Sequence, residues 1–320
     1  MELSGRSFFL PFEAVWMEWL QRHMSGAGTV VISSLSMLGE ELVLVLLLGF
    51  IYWSWDKRMG KYIGLNVLMA VVWNPMIKSV FLRRRPYFDH PGIRILRPVD
   101  PEADIYNISA QGYSFPSGHS ANAAACYGSV AAYVNRRPEG TKRVWVIWAA
   151  ASITLLVGFS RVAVGAHYPT DVLAGWALGA AIVWLMPRLQ RVCRNTAVFH
   201  GLLLVLTLPG LLYCRSADYF TGLGLLAGFI AGNGFEERFV RFENTRAPLR
   251  AVLRVAGGLA VFLILNKALK LPFSGEFLDS GTYAALLVRA GRYFLVSFAD
   301  FGVYPLLFRR NIAAGKSARA

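Results

Sequence analysis

The sequence predicts an all-α protein, a polytopic bundle of about nine transmembrane helices. Of its 320 residues, 55% are hydrophobic and only 16% are charged, which is too apolar for an ordinary soluble domain. The apolar residues fall into runs close to the roughly 17 to 25 residues that cross a bilayer. Basic residues cluster between these runs, as they do beside transmembrane helices. These three observations indicate a multi-pass integral membrane protein.

Nine candidate spans account for most of the chain. Five lie in the first part of the sequence, at residues 37–55, 62–82, 117–134, 144–160 and 171–186. Four more follow, at residues 196–213, 219–231, 251–265 and 283–308. Two of these four are short, and the last is interrupted by Arg289 and Arg292.

The segment before the first span shows no cleavable secretory signal. Glu2, Glu13 and Glu18 interrupt it, whereas a signal peptide needs an uninterrupted apolar stretch before its cleavage site. We therefore expect the first span to insert uncleaved. Residues 8–20 mix Phe, Trp and Met with acidic residues, which suits an amphipathic helix at the membrane surface. A poorly ordered tail fits the same pattern, and both alternatives stay open.

Positive charge predicts the orientation in the membrane. The formal net charge is +14, but the basic residues form short clusters between spans and not the continuous face that binds nucleic acid. Lys and Arg are more numerous on the side that holds Lys57, Arg137 and Arg191. By the positive-inside rule that side faces the cytoplasm. The side that holds residues 83–97 and Arg161 then faces away from it.

The cysteines give no sign of a metal site. Cys126, Cys193 and Cys214 lie in or beside apolar spans, with no CxxC spacing and no adjacent histidine pattern. We interpret them as small packing residues. The sequence therefore predicts no metal ion and no other cofactor.

The first motif with chemical content lies at the end of the second span. Lys78 and Arg85 are seven residues apart, which is two helical turns, so we expect both cations on one helix face. Pro86 marks the exit from the helix. Both side chains can then point at one anion. Taken alone, the pair also fits cations that reach for lipid headgroups, although Lys78 lies deeper in the span.

The second motif is Pro116-Ser117-Gly118-His119, directly before a run of small residues that predicts a helix start. Ser117 suits the N-cap position, and the free N–H groups of a helix start bind anions. Gly118 permits close approach because it has no Cβ. We predict that Ser117 and Gly118 hold a phosphate beside His119. The alternative is an ordinary capped helix with a chance histidine.

The third motif runs from Ser160 and Arg161 to His167 and Asp171. Pro169 suits the first turn of the next helix. Asp171 is four residues beyond His167, so a short local turn lets its carboxylate accept a hydrogen bond from one ring nitrogen and frees the other for attack. The alternative is that Asp171 only favours the helix N-terminus and that His167 is a surface histidine.

The sequence patterns K-x6-R-P, P-S-G-H and S-R-x5-H-x3-D occur in this order between Lys78 and Asp171. They resemble the three signatures of the type 2 phosphatidic acid phosphatase (PAP2) superfamily, in its integral-membrane lipid phosphatase branch. Three spaced motifs in order are far more specific than one alone. The resemblance implies a PAP2-type helical catalytic core at residues 28–190. An interfacial segment at 1–27 and additional transmembrane helices at 191–320 complete the predicted organisation.

The resemblance also implies roles for the motif residues. His167 would be the nucleophile that forms a phosphohistidine, Asp171 would orient it, and His119 would protonate the leaving alkoxide. The remaining motif residues would bind phosphate oxygens: Lys78, Arg85, Ser117, Gly118 and Arg161. This assignment suits phosphoryl transfer, which needs positioning and positive charge around developing oxyanions, here from three cations in place of magnesium.

The predicted function is metal-independent hydrolysis of a membrane lipid phosphate or diphosphate, at the non-cytoplasmic face of a bacterial plasma membrane. Phosphatidate, phosphatidylglycerol phosphate, polyprenyl diphosphate and sphingoid phosphate all fit as substrates, and no nucleic-acid partner is expected. One alternative is a phosphotransferase that uses a lipid diphosphate, since an alcohol can also resolve a phosphohistidine. Another is a non-catalytic transporter or scaffold, which only the extra C-terminal spans suggest.

Four features outside the motifs are further candidates. Glu40 and Glu41 precede an apolar run near the predicted outer membrane edge, and Asp300 lies within the ninth span. Charge inside a membrane often marks function, although Glu40 and Glu41 also fit an ordinary interfacial helix end. Residues 106–113 are either a lid over the headgroup or a surface loop without ligand contact.

Overall fold

The computed structural model describes residues 5–136 and 143–308, and only the backbone of Glu41. Within these ranges the chain is helical, and its one strand-like pairing is an isolated bridge between Arg6 and Arg83. The all-α fold class is thereby confirmed. The α-helices are α1 Pro11–His23, α2 Gly26–Ser36, α3 Glu41–Phe50, α4 Lys57–Phe81, α5 Pro86–Asp89, α6 Ile108–Gln111, α7 Gly118–Val134, α8 Val144–Ala163, α9 Pro169–Val192, α10 Thr196–Val205, α11 Gly210–Tyr213, α12 Ala217–Phe235, α13 Pro248–Ala268, α14 Gly275–Asp279 and α15 Tyr283–Phe298. Shorter 3₁₀ segments lie at Met37–Gly39 and Tyr304–Phe308, and π segments lie at Ile51–Trp55, Glu236–Val240 and Ala299–Val303.

Five helical segments in the described ranges are long and apolar enough to cross a bilayer: α4, α8, α9, α13 and Thr196–Tyr213. A sixth arises if the bent pair Gly26–Gly39 and Leu42–Trp55 counts as one span. The expected number of nine spans is not confirmed. The helices α7 and α15, which lie in two of the predicted spans, are only 17 and 16 residues long.

The backbone contacts group the chain into two compact units. Unit 1 combines Met1–Val45 with Leu65–Tyr219, and unit 2 combines Leu46–Gly64 with Phe220–Ala320. All the predicted site residues belong to unit 1. The predicted boundaries after residues 27 and 190 stay a prediction.

The N-terminal helix α1 is part of unit 1. Its buried residues Glu13, Ala14, Met17 and Gln21 lie on one face, at the spacing of an amphipathic helix. The Gln21 amide donates to the carbonyl oxygens of Arg94 and Ala163, at 2.8 and 3.1 Å. The opposite face exposes large apolar side chains: Phe12, Val15, Trp16 and Trp19. Residues 8–20 thus contain a docked helix with an outward apolar face, and its place at the membrane surface stays a prediction.

Close packing of α7 against α9 positions the P-S-G-H motif. A Cβ at Gly175 of α9 would lie 2.5 Å from the Ser117 carbonyl oxygen and 2.9 Å from the Cβ of Ser120. One turn later, a Cβ at Gly179 would lie 2.6 Å from the Cβ of Ala124. Small residues on both helices therefore let the two backbones approach each other, as in membrane helix pairs generally.

The helix α4 ends before it reaches Arg85. Its last residue is Phe81, and Leu82 has a left-handed backbone with φ 53°. The following residues are extended, with the Ser114 N–H donating to the Arg83 carbonyl oxygen at 2.8 Å. The expectation that Lys78 and Arg85 share one helix face is therefore wrong, because the chain leaves the helix between them.

In unit 2, α12 lies close to α15 and to the π segment that follows it. The close approach is made possible by three glycines spaced four residues apart, Gly224, Gly228 and Gly232. A Cβ at Gly228 would lie 2.9 Å from the Cβ of Ser297, and one at Gly232 would lie 3.0 Å from the backbone nitrogen of Gly302. Near the end of α12 the buried Glu236 accepts from Lys57 Nζ at 2.7 Å and from Lys61 Nζ at 3.3 Å. These contacts join residues 46–64 to the C-terminal part of the chain.

Candidate active site

Two backbone hydrogen bonds bring the second and third motifs together within unit 1. The Ser117 N–H donates to the Asp171 carbonyl oxygen at 2.9 Å, which ties the start of α7 to the start of α9. The His167 N–H donates to the Arg161 carbonyl oxygen at 3.2 Å, which folds the turn before α9 back onto the end of α8. Gly165 has φ +77° within that turn, a conformation that glycine adopts without strain. The second and third motifs are thus held together by main-chain geometry.

His167 and Asp171 form a buried pair. The ring nitrogen Nδ1 of His167 lies 3.6 Å from Asp171 Oδ2 and 3.4 Å from the hydroxyl oxygen of Ser114. Asp171 Oδ2 also accepts from the Tyr168 N–H at 2.8 Å and from the Ser114 hydroxyl. The separation of 3.6 Å is too long for a direct hydrogen bond, so the two side chains are linked through their shared contact with Ser114. The local turn expected between His167 and Asp171 is present, but the expected direct hydrogen bond between their side chains is not, because Ser114 lies against both groups.

Arg85 lies against the other ring nitrogen of His167. Its Nη1 is 3.4 Å from His167 Nε2 and donates to the Ala166 carbonyl oxygen at 3.0 Å. Its Nε donates to the carbonyl oxygens of Gln111 and Gly112, at 2.9 and 3.0 Å. These bonds fix the plane of the guanidinium. Within the described ranges, Nη2 has no hydrogen bond and is available to an anion.

Two further cations converge on the histidine. Burial, followed by the charges of Arg85, Lys78 and Arg161, lowers the pKa of His167 well below its usual 6.5. Arg161 is buried and donates from Nη1 to the hydroxyl of Ser36 at 2.6 Å, while its Nε has no partner in the part of the chain that the structure describes. Burial and nearby positive charge therefore both disfavour protonation of the His167 ring.

The start of α7 presents His119 to the same cluster. The His119 ring interacts electrostatically with Arg161 and His167, and it makes no hydrogen bond with any described residue. Ser117 is the N-cap, and its hydroxyl oxygen accepts from Ser120 Oγ at 2.9 Å. The N–H of Ser117 is already used by Asp171, which leaves the next N–H groups, those of Gly118 and His119, to face an anion.

Three residues that sequence reasoning did not single out also contact the pair or its surroundings. Ser114 donates to Asp171, and Arg83 donates from Nη1 to Asp171 Oδ1 at 2.7 Å. Glu13 pairs with Arg83 Nη2 at 3.1 Å. The run of three arginines that ends at Arg85 was the one available sequence signal for Arg83. Nothing in the sequence pattern distinguished Ser114.

The remaining candidates lie in other settings. Glu40 forms an ion pair with Arg97, and the side chain of Glu41 lies outside the described residues. Asp300 belongs to unit 2, where it is buried with its Oδ1 lacking any partner among the described side chains and backbone. In the loop 106–113, Tyr106 is half exposed and its ring contacts Phe88 at 5.6 Å.

No group of three or more His, Cys, Asp or Glu side chains in residues 5–136 and 143–308 is arranged to hold a metal ion. A metal-independent mechanism stays a prediction, argued from the three cations at His167.

Comparison with known families matches two parts of the chain. Residues 60–194 match the PAP2 superfamily, and residues 220–316 match the PAP2 superfamily phosphatase transmembrane extension. The first match contains all three motifs. The second falls within the longer segment of unit 2.

Several curated proteins are similar to this chain. Phosphatidylglycerophosphatase B of Bacillus subtilis is 30% identical over 175 residues, which is 52% of this chain and 74% of that protein. Undecaprenyl-diphosphatase of Sulfolobus acidocaldarius is 29% identical over 135 residues, or 42% of this chain and 56% of that protein. Lipid A 1-phosphatase of Rhizobium etli is 35% identical over 130 residues, or 40% and 48%. The chain thus spans about half the length of the last two.

One solved structure is also similar, the transmembrane PAP2 type phosphatidylglycerolphosphate phosphatase from Bacillus subtilis. It is 26% identical, its TM-score is 0.41, and the match covers 55% of this chain and 85% of that one.

Proposed function

The chain belongs to the PAP2 superfamily and is a membrane phosphatase, and on that premise we propose that it hydrolyses a lipid phosphate or diphosphate through a phosphohistidine on His167. The observation that carries the proposal is the placement of the two ring nitrogens of His167. Nδ1 faces the Asp171 carboxylate, and Nε2 faces the guanidinium of Arg85. A phosphate held by Arg85 therefore sits against the nitrogen that is free to attack.

The first chemical step forms the bond between His167 Nε2 and phosphorus and breaks the bond from phosphorus to the lipid oxygen. Asp171 stabilises the positive charge that develops on the ring. His119 gives a proton to the departing alkoxide. Water then attacks the phosphohistidine, His119 takes a proton from that water, and inorganic phosphate leaves with His167 restored.

Positive charge supplies the electrostatic stabilisation. Lys78, Arg85 and Arg161 together neutralise the phosphate oxygens on which charge builds up in the transition state. Arg85 lies 3.4 Å from His167 Nε2, and the charges of Lys78 and Arg161 also act on the ring by lowering its pKa, which supports a role for all three at a phosphate bound there. We propose on this basis that hydrolysis needs no metal ion.

The lipid and the membrane face belong to the proposal as well. The names of the relatives point to phosphatidylglycerol phosphate, undecaprenyl diphosphate and lipid A as substrate classes. Phosphatidate and sphingoid phosphates share the same phosphate chemistry. The distribution of Lys and Arg supports an active site on the non-cytoplasmic face of a bacterial plasma membrane.

Phosphate release by the detergent-purified protein tests this function. The assay uses EDTA and a panel of phosphatidate, phosphatidylglycerol phosphate, undecaprenyl diphosphate, lipid A and a sphingoid phosphate. We expect release from at least one lipid by the wild type and none by a folded His167→Ala variant. Full activity of the variant would refute the mechanism. Transfer of label to an added alcohol in place of water would identify a phosphotransferase.

A further inference from the structure

A closed ring of polar contacts lies behind the catalytic pair, on the side of Asp171 away from His167. Arg83 Nη1 donates to Asp171 Oδ1 and to the Thr170 hydroxyl, both at 2.7 Å. The Thr170 hydroxyl donates to Glu13 Oε1 at 2.8 Å. Glu13 Oε2 in turn accepts from Arg83 Nη2 at 3.1 Å, which closes the ring. The ring joins α1 to the start of α9.

Arg83 pairs with the carboxylates of Asp171 and Glu13, so its charge does not serve to bind phosphate. Its side chain is almost fully buried, and its guanidinium lies over the rings of Tyr168 and Phe8, at 4.1 and 4.8 Å. Two carboxylates, Asp171 and Glu13, share this one cation. Because buried charges persist only when they are paired, the orientation of Arg83 depends on both partners.

Both carboxylate oxygens of Glu13 accept hydrogen bonds. Its side chain is fully buried, and Oε1 accepts from both the N–H and the hydroxyl of Thr170, each at 2.8 Å. Oε2 accepts from the Leu10 N–H at 2.9 Å. A helix that only covered the protein with apolar residues would need no buried carboxylate at this point. Full burial of Glu13 costs free energy that these contacts must offset.

We infer that Glu13 is a positioning residue that acts through Arg83 on Asp171 and so holds His167 in the orientation for attack. The inference rests on the proposed function. Glu13 keeps part of the Arg83 charge away from Asp171, which leaves Asp171 Oδ2 free to face Ser114 and His167. The N-terminal helix thereby becomes part of the catalytic apparatus, although it carries none of the family motifs.

The substitution Glu13→Gln tests the inference because it keeps the size of the side chain and removes its charge. Arg83 then acts on Asp171 alone, so the support that Asp171 gives to a positive His167 weakens. We expect kcat to fall about tenfold or more, with KM within twofold of the wild type. The acid limb of the pH profile should move to lower pH. If the substitution instead only loosened the packing, water would reach His167 and the acid limb would move to higher pH.

Glu18→Gln is the matched control. Glu18 lies on the same helix, and its ion-pair partner among the described residues is Arg22, at 2.8 Å, with the Arg22 side chain largely exposed. We expect wild-type kcat, KM and pH profile from this variant. An equal fall in both variants, or wild-type kcat in Glu13→Gln, would overturn the inference. So would a fall in Glu13→Gln accompanied by an upward shift of the acid limb.

If Glu13→Gln cannot be purified in a folded form, Thr170→Val decides the question. This change keeps both charges and removes the hydroxyl that bridges Arg83 Nη1 and Glu13 Oε1, so the ring is opened while the direct pair between Arg83 Nη2 and Glu13 Oε2 remains. A severalfold fall in kcat at constant KM supports the inference, and kcat within twofold of the wild type contradicts it. The wild type is assayed on the same lipid panel. No phosphate release by the wild type would refute the proposed function itself, whereas active wild type and unaffected variants refute only the role of Glu13.

Discussion

Both carboxylate oxygens of Asp171 accept hydrogen bonds from residues other than His167. Oδ1 accepts from Arg83, and Oδ2 accepts from the Ser114 hydroxyl and the Tyr168 N–H. Each donor limits the rotation of the carboxylate. Under the proposed mechanism, the groups that hold Asp171 affect the rate through the position of His167.

Replacement of Ser114 by alanine tests this arrangement. The change removes one donor to Asp171 Oδ2 and the contact with His167 Nδ1, so we expect kcat to fall by about ten- to a hundredfold with little change in KM. Steady-state phosphate release measures both constants. Ser109→Ala, at an exposed position five residues earlier, should behave as wild type. Equal kcat values for the two variants would contradict the assignment.

The pH profile tests the electrostatics around His167. In the proposed mechanism the ring attacks only when neutral, and burial followed by the charges of Arg85, Lys78 and Arg161 lowers the pKa of His167 well below 6.5. The acid limb of kcat/KM should therefore lie below pH 6.5. Lys78→Met removes one positive charge, so the pKa of His167 should rise and the limb should move toward 6.5, in addition to any loss of rate.

Arg191→Met is the control for that shift. Arg191 lies in the last turn of α9, about 30 Å along the helix from Asp171 at 1.5 Å per residue. The Arg191→Met substitution also removes one positive charge, but at a distance from which it does not act on His167. An acid limb that stays in place in Lys78→Met, or that moves equally in Arg191→Met, would show that the cations do not set this pKa.

At the residue scale, sequence spacing indicated the motif residues but not their partners. The separation of His167 and Asp171 predicted a local turn, and the structure has one. Ser114 and Arg83 reach Asp171 across 57 and 88 residues of sequence. Contacts of that kind depend on how helices meet, and no local pattern encodes them.

Among the helices, the contact between α7 and α9 sets the distance between His119 and the turn that carries His167. Gly175 is where α9 touches the carbonyl oxygen of Ser117. Backbone cannot move aside as a flexible side chain can. Any side chain at this position must therefore push the P-S-G-H segment away from α9.

Gly175→Ala should lower both stability and activity. The added Cβ would lie 2.5 Å from the Ser117 carbonyl oxygen, and overpacking of this kind costs about 1–3 kcal/mol. In contrast, Gly201 of α10 has no atom within 4 Å of an added Cβ, so Gly201→Ala should stabilise by about 0.5–1 kcal/mol. The two variants are compared by thermal unfolding in detergent and by phosphate release. Similar midpoints would contradict this packing.

At the element scale, hydropathy located the helices better than it located their ends. The predicted span at residues 62–82 lies almost wholly within α4, yet the helix stops at Phe81 and Arg85 reaches His167 from an extended segment. The predicted span at residues 37–55 contains a break after the 3₁₀ segment Met37–Gly39. Average apolarity does not register a left-handed residue or a change of helix type, because both depend on backbone geometry.

At the scale of the whole molecule, the family matches and the backbone contacts divide the chain in similar ways. The match to the transmembrane extension begins at residue 220, where the longer segment of unit 2 begins. Residues 46–64 precede the motifs in sequence but belong to unit 2. Composition could not show this division, since both parts are apolar, and the predicted boundary after residue 190 relied only on where the motifs end.

Glu236→Ala should destabilise unit 2. Glu236 is fully buried and holds Lys57 and Lys61, and loss of one partner from a buried ion pair costs up to about 3–5 kcal/mol. The partly exposed lysines can regain water, so we expect a value toward the lower end. Glu237 also pairs with Lys61 but is 59% exposed, and Glu237→Ala should cost less than about 1 kcal/mol. Equal shifts in the unfolding midpoint would contradict the role of Glu236.

The most direct test of the proposed mechanism is to trap the phosphorylated protein. The wild type is mixed with a lipid substrate labelled in its terminal phosphate, quenched within milliseconds at high pH and digested. The label should be acid-labile, stable in base and attached to His167, and a folded His167→Ala variant should carry none. Phosphate release by a wild type that is never labelled, or label of the same kind on the His167→Ala variant, would contradict the central claim.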